Sequence, residues 1–149
     1  MTNFWRRWLA VWCIAAGLFG AVLTGAAFPA TDGPARALLA FQNPAADATM
    51  TAALRFSVAL MGAVTLGWSV TLWAAIVAAD RLGAQGRPVW GWLVMSVVGW
   101  FVIDSGLSIA TGFALNTVSN AVLLVGFLWP VWRMGVLRDD AGLAAQRPG

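Results

Sequence analysis

Histidine, tyrosine, lysine and glutamate are all missing from the 149 residues, and there is one cysteine, Cys13. Each absence removes a class of chemistry. Without histidine the chain has no imidazole ligand for haem, no His-based catalytic pair and no ordinary zinc site. Without lysine it forms no Schiff base with a carbonyl compound. A single cysteine rules out an internal disulfide and a C-x-x-C redox pair. Charge is scarce as well: charged residues make up 10% of the chain, all nine basic residues are Arg and all six acidic ones Asp. A water-facing surface normally carries about 25 to 35% charged residues, so most of the outer face of this fold meets something other than water.

What is present is apolar. Hydrophobic residues account for 60% of the sequence; with glycine added, the share is about 70%, against a usual 45 to 50%. Four long apolar stretches run from about Trp8 to Phe28, Ala53 to Ala79, Trp90 to Ala110 and Phe113 to Trp132. Each is near the ~20 residues that cross a hydrocarbon core as a helix. The residue-by-residue alternation of a barrel strand is absent, and a spanning segment must satisfy its own backbone hydrogen bonds, so the sequence predicts an all-α integral membrane four-helix bundle. The breaks are at Pro29, between Asp80 and Pro88, and at Thr111-Gly112, with Pro130 in the last turn of the fourth span. The bundle occupies 1–138 as one domain; the small, polar tail 139–149 is expected to be poorly ordered.

Arginine placement predicts orientation. Arg6, Arg7, Arg81, Arg87, Arg133, Arg138 and Arg147 fall at one end of the spans, Arg36 and Arg55 at the other. By the positive-inside rule both termini are cytoplasmic. Trp5, Trp8, Trp12, Trp90, Trp92, Trp129 and Trp132 gather near that same face, where indoles prefer the headgroup region. The net charge of +3 thus reflects topology, and arginines spread over separate segments give no nucleic-acid footprint. Arg6-Arg7, the apolar run and Gly25, Ala26 and Ala27 also fit a signal peptide, although the run is long for one. Between the first two spans, Asp32-Gly33-Pro34 reads as a helix start, and Ala35, Leu38, Leu39 and Phe41 form an apolar stripe ending at Asn43-Pro44. The segment is expected to be a short interfacial helix, or else a lid or docking surface.

Asp104 is the one acid inside a span, about 21 Å from the cytoplasmic face at 1.5 Å per residue. An ionisable group at that depth faces the bundle interior and has a partner. Because the chain reverses near Thr111, position 104 lies level with about position 119 on the fourth helix, bracketed by Asn116 and Asn120 on one face. Arg55 enters the second span from the same side. The sequence therefore predicts an Arg55–Asp104 ion pair, with Ser105, Ser108, Asn116 and Asn120 completing a polar cluster that is either structural or a binding site. Small residues at four-residue spacing mark close-packing faces: Ala16, Gly20 and Thr24, and Gly17, Ala21 and Gly25, in the first span, and Ala59, Ala63 and Gly67 in the second. Trp68 and Trp100 lie deep, as core fillers or lipid-facing rings, and Cys13 reads as a buried, inert thiol.

The layout resembles small uncharacterised four-helix inner-membrane proteins of bacteria. The likeness lies in Phe28-Pro29, in Leu54-Arg55-Phe56 leading to Gly62, Gly67 and Trp68, in the stretch from Trp100 through Asp104 to Gly106, and in Asn116 to Asn120. It implies the fold and a bacterial inner-membrane location. The first expectation for function is a non-enzymatic accessory or interaction subunit with membrane lipids, and a partner protein or second copy, as its neighbours. The alternative is a small transporter or proton-coupled binding protein that uses Asp104. No catalytic residue, metal or cofactor is expected.

Overall fold

A computed structural model describes residues 1–45 and 49–138. The tail expected to lack order begins at position 139 and lies outside the described residues. The described chain is helical: α1 spans Asn3–Thr24, α2 Gly33–Gln42, α3 Ala52–Arg81, α4 Arg87–Ala110 and α5 Ala114–Met134. α1, α3, α4 and α5 are each long and apolar enough to cross a membrane. At the ends toward the termini they extend past the predicted apolar windows, because polarity marks the edge of a window whereas a backbone breaker ends a helix; at the other end α1 stops short of the predicted Phe28 and α5 begins one residue after Phe113. α1 passes into a 3-10 turn at Gly25–Ala27 and stops at Phe28, which is extended ahead of Pro29, as the residue before a proline prefers. α3 opens with Thr51, whose hydroxyl oxygen accepts from the Leu54 amide at 3.2 Å, a side-chain N-cap. Gly112 at φ +85° turns α4 into α5.

Each spanning helix packs on the next and α5 returns to α1, so the four form a ring. α1 and α3 approach most closely. A Cβ on Gly20 would lie 2.7 Å from the Gly62 carbonyl oxygen, and one on Gly62 would strike the Thr24 amide. Backbone thus meets backbone where the two glycines cross, the small-residue contact expected of helices in lipid. The second-span face expected from Ala59, Ala63 and Gly67 is not this seam. Gly62 is buried while Ala63 and Gly67 are exposed, because facing Gly20 turns the opposite side of α3 outward.

Two unequal cores result. Toward the termini, Leu9, Trp12 and Cys13 of α1, Leu72 and Ile76 of α3, Trp90, Leu93 and Val97 of α4, and Phe127 and Val131 of α5 form one apolar cluster joining all four helices. Toward α2, a smaller cluster contains Leu23, Ala26, Ala35 and Val58, with Leu38 and Leu39 against it. It joins α1, α2 and α3 only. Phe41, on the apolar stripe read from the sequence of α2, is 69% exposed.

Tryptophans tie α1 to α5. Pro130 has no N–H, so the Gly126 carbonyl four residues earlier loses its helical donor. Trp8 supplies a substitute: its indole N–H donates to the Gly126 oxygen at 2.8 Å. One turn along, Trp12 donates to the Leu123 oxygen at 2.9 Å, and its ring fits because position 126 has no side chain to meet Cδ1, 3.2 Å from where a Cβ would stand. Trp12 also contacts Trp68, which contacts Trp100, with ring centres 6.5 Å and 5.7 Å apart. The deep indoles therefore form a row from α1 through α3 to α4. Outward-facing Val11, Ile14, Val64, Val70, Val102 and Val122 are each at least 60% exposed, an apolar girdle that a bilayer would cover and water would not.

Candidate functional site

At the α2 end, α4 and α5 face each other through polar side chains. Asp104, Ser105 and Ser108 lie on α4, and Asn116 and Asn120 on α5, four residues apart and so on one face. Asn116 Nδ2 donates to Asp104 Oδ2 at 2.9 Å and to Ser108 Oγ at 2.9 Å. Asn120 Nδ2 donates to the same Asp104 Oδ2 at 2.5 Å and to Ser105 Oγ at 3.2 Å. Ser105, Ser108 and Asn120 are buried and Asp104 is half-buried. The hairpin geometry read from sequence thus brings five of the six expected residues together.

Arg55 is the exception. Its NH2 group binds Asp32 Oδ2 at 2.7 Å, and NH1 donates to the Ala26 carbonyl at 3.2 Å. The predicted Arg55–Asp104 ion pair does not form; Arg55 sits at the head of α3, where Asp32 at the start of α2 is within reach and Asp104, on α4, is not. Asp32 precedes α2 but makes no side-chain cap to it, since its carboxylate is committed to Arg55. This partly buried pair fastens the start of α2 to α3.

Gln42, in the last turn of α2, is a member of the site that sequence reading missed. Its Nε2 donates to Asn116 Oδ1 at 2.7 Å. That bond fixes the Asn116 amide with its Nδ2 toward Asp104, so α2 orients the group that holds the carboxylate. The usable signal was a polar amide closing a short helix just past the apolar Leu38, Leu39 and Phe41. α2 is consequently latched at both ends, to α3 by an ion pair and to α5 by an amide–amide bond, and lies across this end of the bundle.

The electrostatics follow. Both amide donors converge on one carboxylate oxygen, Oδ2, and Oδ1 has no hydrogen-bond partner among the described residues. No protein cation comes within 4 Å of Asp104 among them. Amide dipoles stabilise a carboxylate in part, but a charge without a counter-charge is costly in a low-dielectric span. The hydroxyls nearby are also unusual. Thr24, Thr65, Ser69, Thr71 and Thr111 each turn back to a carbonyl of their own helix, the common resting place of a helical hydroxyl. Ser105 and Ser108 accept amide hydrogens instead, and the Thr117 hydroxyl oxygen, one residue beyond Asn116, is buried with no partner among the described residues.

At the opposite end, the N-terminal ammonium pairs with Asp80 at 3.0 Å. Cys13 is buried in the large apolar core. Among the described residues no three His, Cys, Asp or Glu side chains converge as a metal-binding group. No known protein family, characterised protein or solved structure matches the chain.

Proposed function

We propose that the chain is a multi-pass membrane protein that carries out no bond chemistry itself and binds a small solute at Asp104, as a small transporter or a binding protein does. The observation that carries this reading is the engagement of Arg55 with Asp32, which leaves Asp104, an acid well inside a span, without a protein counter-charge among the described residues. An intramembrane acid of this kind marks a solute or ion pathway more often than a packing device. Support for access comes from packing: the apolar core joining all four helices lies toward the termini, whereas at the α2 end α1 and α3 share a separate cluster and α4 and α5 meet through polar groups.

In this reading the protein resides in a bacterial inner membrane with both termini cytoplasmic, as the arginine distribution supports, and α2 lies at the outer interface over the site. Labelling tests it. Asp104→Cys in a Cys13→Ala background, folded as judged by an unchanged gel-filtration profile, is expected to react with methanethiosulfonate ethylammonium applied from the α2 side of intact vesicles. A folded variant that resists the reagent would make the cluster a dry structural clamp.

The second reading, an accessory subunit, is favoured by the outward side of α3. A Cβ at Gly67 would meet nothing within 4 Å, so the surface around Ala63 and Gly67 is open to close approach by another helix. Native mass spectrometry of protein extracted with its lipid supports this reading if it shows a stoichiometric partner that Gly67→Leu removes.

A further inference from the structure

Building on the binding reading of Asp104, we infer that the ligand at this carboxylate is a small monovalent cation, held between Asp104 Oδ1 and the hydroxyl oxygens of α4. Charge balance gives the valence. One carboxylate without a protein cation within 4 Å among the described residues is neutralised by a single positive charge, whereas a divalent ion would leave an excess in the span. Ligand chemistry gives the class. The site offers oxygens only, one carboxylate with hydroxyls and amides, which suits hard cations and not those that seek nitrogen or sulfur.

Geometry gives the place. Asn116 and Asn120 both donate to Oδ2, and this holds the carboxylate with Oδ1 left over. Ser105 and Ser108 each accept one amide hydrogen, and a hydroxyl oxygen has a second lone pair. Neither is drawn back to its own helix, unlike Thr65, Ser69 or Thr71. Gln42 acts as a positioning residue: by donating to Asn116 Oδ1 it keeps the Asn116 N–H groups on Asp104 and Ser108.

The test uses the full chain in detergent with sodium as the probe. Thermal unfolding is followed as sodium chloride replaces choline chloride at constant total salt, at several pH values. A ligand that binds only the folded state raises the midpoint with its concentration. The expected result is a rise on the order of 4 °C at saturating sodium, absent in Asp104→Asn and shifted to higher sodium, by about fivefold or more, in Ser108→Ala. Ser108→Ala keeps the carboxylate and both asparagines, so it decides the matter if Asp104→Asn does not fold. Equal midpoints in sodium and choline overturn the cation, as does a sodium response that Asp104→Asn or Ser108→Ala retains unchanged. If the wild type alone then responds to pH, a proton is the occupant and the binding reading survives. If neither sodium nor pH separates wild type from Asp104→Asn, that reading falls too.

Discussion

The two ends of the bundle are built by different means. Toward the termini, residues from all four spanning helices share one apolar core, and the indoles of Trp8 and Trp12 lock α1 onto α5. Toward α2, apolar packing stops at α1, α2 and α3, and α4 is held to α5 through Asp104, two serines and two asparagines. In water an apolar core needs little explanation, but in lipid the tails are as apolar as leucine, so shape, close approach and polar bonds do the holding. The lesson is that this chain spends its large, well-shaped side chains at one end and its polar ones at the other. The polar end also contains a carboxylate whose second oxygen has no hydrogen-bond partner among the described residues, and function is assigned there.

Four substitutions probe the contrast, the largest effect first. Phe127 is fully buried in the core shared by all four spanning helices, against Trp12, and Phe127→Ala is expected to cost about 3–5 kcal/mol. Steric-trap unfolding in bicelles should show the loss, with faster amide exchange in all four spanning helices. Arg55→Ala leaves the Asp32 carboxylate, 6% exposed, without its cation. Because the Arg55 side chain is 21% exposed, the cost falls between that of a buried and a surface pair, about 2–3 kcal/mol. Its effect should be local: exchange rises in α2 and barely changes at Leu72, Ile76 and Val97. Uniform loss of protection would mean that the two ends are not separable.

Asn120→Ala removes two donors between α4 and α5, and interhelical hydrogen bonds in lipid average about 0.6 kcal/mol with a maximum near 1.7. A cost of about 1 to 2 kcal/mol is expected in the same assay, and no cost would deny the clamp. Smallest is Trp8→Phe, which deprives the Gly126 carbonyl of its donor and should cost about 1 kcal/mol. In a Pro130→Ala background a backbone N–H returns to that carbonyl, so Trp8→Phe should then cost measurably less. An identical cost in both backgrounds would show that the indole acts by packing alone.

Much of this was legible beforehand, for identifiable reasons. A span must be long, apolar and helical, so four runs of residues located four helices, and breakers such as Pro29 and Gly112 located their ends. The meeting of Asp104 with Asn116 and Asn120 could be read because a tight turn fixes the relative depth of two neighbouring helices. Arg55 could not be assigned in this way. It enters its span from the same side as Asp104, but a shared side says nothing of direction around the helix axis, and the partner it took precedes α2, whose placement is tertiary. Gln42 escaped for the same reason. The wrong face of α3 was chosen because alanine and glycine are so common here that several faces look small. Only the crossing of Gly20 with Gly62 selects one.

The central claim, that Asp104 has no protein cation among the described residues because Arg55 belongs to Asp32, is tested most directly by paired double-mutant cycles on thermodynamic stability. One cycle combines Arg55→Gln with Asp32→Asn, the other Arg55→Gln with Asp104→Asn. The predicted result is a coupling energy of about 1 kcal/mol or more in the first cycle and additivity in the second. Coupling between Arg55 and Asp104, with Asp32 additive, would contradict the account and return the cluster to a purely structural ion pair.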